Sequence, residues 1–165
     1  MADTFSFDVI SEVNLQEVDN AANQARKEIA QRYDFKGSKS SIELNPKEKT
    51  LTILSDDEFK LKSVVDILQS KLIKRSVPLK ALSYGTVEPS GGGTVRQVVT
   101  LRVGIDKENA RRIVKLVKDT KLRVQVQIME DQVRVSGRVK DDLQAVMKTI
   151  READLECAVQ FTNYR

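Results

Sequence analysis

Eight apolar positions of this chain recur 82 residues further on. Ile42, Leu44, Leu51, Ile53, Leu61, Val64, Val65 and Leu68 reappear as Val124, Val126, Val133, Val135, Leu143, Val146, Met147 and Ile150, with no gap. In each set the first four residues alternate, as in a hairpin with one buried face, and the last four follow helical spacing. Alternation alone yields some chance matches. The phase between hairpin and helix must also agree, so an internal duplication is the better account. The 165 residues therefore hold two copies of one unit, each with only a modest core.

The flanking residues extend the unit. Phe5, Phe7 and Val9 alternate as a half-buried strand. Asn14 offers an N-cap with Glu17 three positions on, and Leu15, Val18, Ala22, Ala25 and Ile29 predict an amphipathic helix over 15–32. Asn45–Glu48 makes the hairpin turn. Ser55 or Asp56 caps the next helix, whose stripe begins at Phe59 and Leu61, and Pro78 stops it before a short strand at Ala81–Tyr84. The order then repeats: a strand over Val95–Val103, a helix capped by Asp106, the second hairpin and helix, and a last strand marked by Val159 and Phe161. Each copy reads βαββαβ. This predicts an α+β fold of two four-stranded antiparallel sheets, each with two helices on one face, because every helix shows a single apolar stripe. The copies divide at 1–88 and 89–165, where Gly85–Gly93 reads as a flexible linker. It lacks the Gly-Lys-Ser/Thr ending of a phosphate-binding P-loop.

The chain has no histidine and a single cysteine, Cys157. Ser-His and Cys-His nucleophiles, histidine bases and histidine- or cysteine-built zinc sites are thereby excluded. Carboxylate–magnesium chemistry survives that test, but the acid pairs Asp56-Asp57 and Asp141-Asp142 stand at helix starts, where carboxylates cap. The expectation is a protein that is not an enzyme and carries no cofactor and no metal. No run approaches the ~20 apolar residues of a membrane span, and the first residues lack the basic and apolar regions of a secretory signal. A cytoplasmic protein without a membrane partner is expected. Lys and Arg total 28 against 24 Asp and Glu, a net charge of +4, which is compatible with phosphate-bearing partners.

The copies differ at one junction. The first helices match at a spacing of 88 (Ala22, Ala25 and Ile29 with Ala110, Ile113 and Val117), so the first copy holds six extra residues before its hairpin. They fall within Arg32–Lys39. Arg32, Lys36 and Lys39 bring positive charge, Tyr33 and Phe35 bring rings able to stack a base, and Gly37 and Ser38 allow close backbone approach to phosphate. The same two rings also suit anchors of a long connection. A second candidate surface is the polar face of the second sheet, where Arg102, Gln125 and Arg134 offer a guanidinium fork and amides for phosphate and base edges. A plain solvent-facing sheet suits these residues equally well. The face shows no aromatic platform of the kind that RNA-recognition sheets use.

Several long runs resemble the YajQ family. They include Ser6-Phe7-Asp8-Val9-Ile10-Ser11-Glu12-Val13, Arg32-Tyr33-Asp34-Phe35-Lys36-Gly37-Ser38, Arg96-Gln97-Val98-Val99-Thr100-Leu101 and Gln160-Phe161-Thr162-Asn163-Tyr164. The resemblance covers essentially the whole chain. It implies a bacterial protein with two ferredoxin-like domains and a nucleotide ligand (GTP, ATP or cyclic di-GMP) or RNA, acting as a regulatory effector with a transcriptional regulator as partner. An adaptor that docks such a regulator without a nucleotide is the competing expectation. The resemblance also raises exchange of the N-terminal strand within residues 1–13, so that Phe5–Val13 would complete the second copy's sheet. The sequence leaves both arrangements open.

Overall fold

The structure, a computed structural model, describes residues 4–165. Among these residues the elements run β1 (Phe5–Ile10), α1 (Leu15–Gln31), β2 (Ser41–Asn45), β3 (Thr50–Ser55), α2 (Glu58–Lys74), β4 (Leu82–Tyr84) and β5 (Glu88–Pro89). They continue with β6 (Val95–Leu101), α3 (Lys107–Asp119), β7 (Val124–Met129), β8 (Gln132–Gly137), α4 (Lys140–Glu152) and β9 (Gln160–Thr162). No helix among them is long and apolar enough to cross a membrane.

The strands form two sheets, ordered β7-β8-β1-β9 and β2-β3-β6-β4, with the short β5 also on β6. Every neighbouring pair is antiparallel. Each sheet thus has the strand order of a ferredoxin-like unit: a hairpin, a central strand, then the strand that follows the second helix. The central strand is exchanged in both. β1 lies between β8 and β9, with Phe7 opposite Val135 and Val9 opposite Val133 and Phe161. β6 lies between β3 and β4, with Val99 opposite Leu51 and Tyr84. The compact units are accordingly not sequential halves. One is Val13–Arg102, and the other joins the chain up to Glu12 to Val103–Arg165.

Local chemistry sets the helices. Asn14 caps α1 by accepting from the Gln16 and Glu17 amides, and Asp106 caps α3 through the Asn109 amide. α2 is capped by Asp57 rather than Ser55 or Asp56. Ser55 ends β3, and its buried side chain is used elsewhere. In Val13–Arg102 the core joins Ala21, Ala22 and Ala25 of α1 to Leu61, Val64, Leu68 and Leu72 of α2, over Ile42, Leu51, Ile53 and Val99. In the other unit Phe7, Val9, Val133 and Val135 lie beneath Ile113, Leu143, Val146 and Ile150. Phe7 meets Phe161 edge to face at 5.5 Å.

Five apolar residues depart from the cores that alternation within each sequential copy implies. Phe59 is 82% exposed. Two residues from Leu61, it points roughly 200° away at 3.6 residues per turn. Val103 and Ile128 are also exposed, and Val99 and Leu101 belong to the core of Val13–Arg102. The gapless 82-residue repeat conceals a shift as well. Ile42 pairs with Ile53, whereas Val126, not Val124, pairs with Val135. The first hairpin closes with four residues and the second with two, so the outer strands correspond at a spacing of 84. A two-residue slip preserves alternation and is invisible to it. Finally, the Gly85–Gly93 stretch folds back: Glu88 and Pro89 pair with Arg96 and Val95.

Strand exchange predicts where a core defect will be felt. Phe7→Ala should cost about 3–5 kcal/mol and should speed hydrogen exchange of backbone amides in residues 103–165 while sparing 13–102. Loss of protection confined to 13–102 would contradict the observed pairing.

Candidate functional site

The junction that only the first copy possesses is a built feature. α1 ends at Gln31, and Tyr33–Phe35 form one 3-10 turn. Phe35 anchors it, buried in the core of its unit. Lys60 secures it from outside: its ammonium hydrogen-bonds the Asp34 carbonyl and lies 5.1 Å from the Phe35 ring centroid. Arg32 is committed locally. It donates to both carboxylate oxygens of Asp34 at 3.0 and 2.9 Å and lies 3.5 Å from Glu28. The Arg32 bond holds the Asp34 carboxyl below its ordinary range, and that carboxylate raises the Arg32 guanidinium in turn.

Beyond the turn, Gly37 takes φ +76° with open space around it, a conformation that favours glycine. A hydroxyl chain then pins the loop. Ser38 donates to Asp56 at 2.5 Å, its Oγ lies 2.7 Å from that of Ser40, and Ser40 reaches Ser55 at 2.8 Å. Asp56 also accepts from the Lys39 amide at 3.1 Å. The Ser38 hydroxyl, then the Lys39 amide, keep the Asp56 carboxyl lower than usual. Beside this loop is a cleft of ≈ 530 Å³ lined by Arg26, Phe35, Ser38, Ser40 and Glu43 among others.

The turn therefore sorts its own residues. Phe35 is an anchor and not a stacking surface, and Arg32 is paired. Tyr33, 89% exposed, and the exposed Lys36, Gly37 and Lys39 face solvent on this anchored base. Two neighbours escaped sequence reasoning. Phe59 projects from the first turn of α2, next in chain to Lys60, as a second exposed ring of this unit. Its phase against Leu61 was the available signal. The Gly91–Gly93 turn also comes alongside: Lys39 Nζ lies 3.8 Å from the position a Cβ on Gly92 would occupy. Charge follows the same division. Residues 13–102 hold 15 Lys and Arg against 11 Asp and Glu, and the remainder holds 13 of each, so the whole net charge of +4 belongs to this unit.

Of the second candidate surface, Gln125 and Arg134 lie in the sheet formed by β7, β8, β1 and β9, and Arg102 does not. Strand exchange assigns Arg102 to Val13–Arg102, where its amide donates to Ala81. Gln125 and Arg134 lie on β7 and β8 of the other unit. There Arg134 meets Asp8 of the exchanged strand: Nε donates to Asp8 Oδ1 at 2.8 Å, and Asn163 Nδ2 donates to Oδ2, also at 2.8 Å. Asp8 is almost fully buried, and a buried carboxylate is stable only when so satisfied. The Arg134 bond outweighs burial and holds the Asp8 carboxyl below its ordinary value of 3.8. This guanidinium stabilises the exchanged strand and is only partly available to a ligand. Gln125 is exposed, beside a separate cleft of ≈ 660 Å³ with Arg123 and Arg138.

The sign of the acid response follows. A carboxyl titrating lower in the fold than in the unfolded chain stabilises fully above its unfolded value and loses that contribution as pH falls through the folded value. Arg134→Gln should raise the Asp8 pKa and flatten the fall in stability below pH 3.8. Denaturant melts of both proteins across acidic pH check this. An unchanged acid slope would mean that the pair does not act on the folding equilibrium.

Comparison with known proteins adds a consistent set of matches. The family model described as "Nucleotide-binding protein YajQ-like" matches residues 5–165. A protein of Carboxydothermus hydrogenoformans named "Nucleotide-binding protein" is 58% identical over 165 residues, covering 100% of both chains. A protein of Chloroherpeton thalassium with the same name is 55% identical, again over 100% of both chains. A Bacillus cytotoxicus "Nucleotide-binding protein" is 58% identical at the same coverage.

Proposed function

This chain belongs to the YajQ-like family, and from that premise we propose that it is a non-enzymatic protein that binds a nucleotide, or RNA, at the Arg32–Lys39 turn. The observation that carries the reading is Tyr33: a ring 89% exposed on a turn that Phe35, Lys60 and Arg32 hold rigid. An aromatic face presented without reorganisation stacks a base of any identity. Lys36, Lys39 and the backbone around Gly37 lie within a few residues and supply charge and amides for phosphate. The net positive charge of the surrounding unit draws in the same kind of ligand. The names that close relatives carry point the same way. GTP, ATP, cyclic di-GMP and short RNA all combine a base with phosphate and are the ligands to test. Catalysis is not part of the proposal, because no histidine is available and the acids that start α2 have local work: Asp57 caps the helix and Asp56 holds Ser38.

Calorimetric titration with each of these ligands tests the reading. Binding should weaken with salt, since phosphate contacts release counterions. Tyr33→Ala should lower affinity about 5- to 150-fold, the equivalent of about 1–3 kcal/mol for one stacked base. Lys36→Ala and Lys39→Ala should each weaken binding and reduce its salt slope. Failure of all four ligands to bind at moderate salt, or binding unchanged in Tyr33→Ala, would contradict the assignment.

A further inference from the structure

The two sheets treat their outer hairpin strands differently, and the duplication makes the difference readable. β2 is a guarded edge. Arg26 of α1 donates through Nε and Nη2 to the Ile42 carbonyl at 2.8 and 2.5 Å, and Glu43 puts a charge within the strand. The first helices correspond at a spacing of 88, so the counterpart of Arg26 is Val114, which has no donor. β7 itself, Val124–Met129, contains no charged residue, no proline and no glycine, and none of its six residues is buried. Its two-residue turn makes Met129 and Gln132 the closing pair. Antiparallel alternation then directs the backbone groups of Val124, Val126 and Ile128 away from β8, the Val124 amide donating to the Leu122 carbonyl. An uncharged, uncovered edge of this kind is a template for strand addition.

We propose that β7 is a self-association edge, to which β7 of a second copy of this chain adds antiparallel across a two-fold axis at Gln127. Charge complementarity selects that occupant. Lys121 and Arg123 precede the strand, and Glu130 and Asp131 follow it. Antiparallel addition of the strand to itself brings each basic end to an acidic end, whereas parallel addition sets like charges together. In the register centred on Gln127, the outward-bonding Val126 faces Ile128, and Arg123 faces Asp131, twice over by symmetry. The partner covers the half-exposed Val126 and Ile128, and the two four-stranded sheets become one continuous sheet.

Sedimentation velocity over a concentration series tests this on the full chain. Wild type should shift from 18.6 kDa to twice that mass. Gln127→Lys sets two ammonium groups at the axis on an exposed position and should raise the dimer dissociation constant at least tenfold, with an unchanged circular dichroism spectrum. Arg123→Asp should weaken the dimer, and the double variant Arg123→Asp/Asp131→Arg should recover it. A wild type that stays monomeric up to about 1 mM would overturn the proposal. So would a dimer indifferent to Gln127→Lys, or one that the double variant fails to recover.

Discussion

The slot at the centre of each sheet is filled by a strand from elsewhere in the chain. Phe7 and Val9 are fully buried beneath α3 and α4, yet the helix that follows them, α1, packs in the other unit. Val99 and Leu101 repeat the arrangement in reverse. A central strand supplies hydrogen bonds on both edges and one full face of core, so neither hairpin-and-helix set can close its sheet without the other's first strand. The pairing of the buried Asp8 with Arg134 belongs to the same design. It ties the incoming strand to β8 by a charge-assisted bond.

Once the strands are exchanged, the copies are free to differ where the exchange makes no demand. The cores correspond, helix for helix and hairpin for hairpin. The connections do not. The first copy spends nine residues between α1 and β2 and the second only four between α3 and β7. The longer path forms the Tyr33 turn, the serine chain to Asp56 and the adjoining cleft. In the second copy Val114 stands where Arg26 covers β2, so β7 lacks that cover. These two losses of symmetry set the proposed ligand surface in one unit and the proposed open edge in the other.

Most of the architecture could be read from apolar periodicity, because period 2 and period 3.6 report burial directly. The helix caps at Asn14 and Asp106 were legible for the same local reason. What could not be read was long-range. Alternation says that Val99 is buried but not beneath which helices, so Arg102 was grouped with Gln125 and Arg134 although it belongs to the other unit. Nor does alternation register a two-residue slip, and the unequal hairpin loops passed as a gapless repeat. Within the site, the sequence marked Arg32–Lys39 as the place where the copies part. It could not divide that run into anchor, ion pair and exposed ring. That division depends on Lys60, Asp34 and the core under Phe35, contacts made by residues distant in the chain or hidden in its packing.

The central claim, that the unshared junction is the ligand surface, is tested most directly by mapping backbone amide chemical shifts while cyclic di-GMP or GTP is added to isotope-labelled protein. The account predicts that the largest changes fall on Lys36–Lys39, with ring-current shifts in the Tyr33 side chain and smaller changes at Gly91–Gly93. Shifts confined to residues 103–165, with the Tyr33 turn silent, would contradict it.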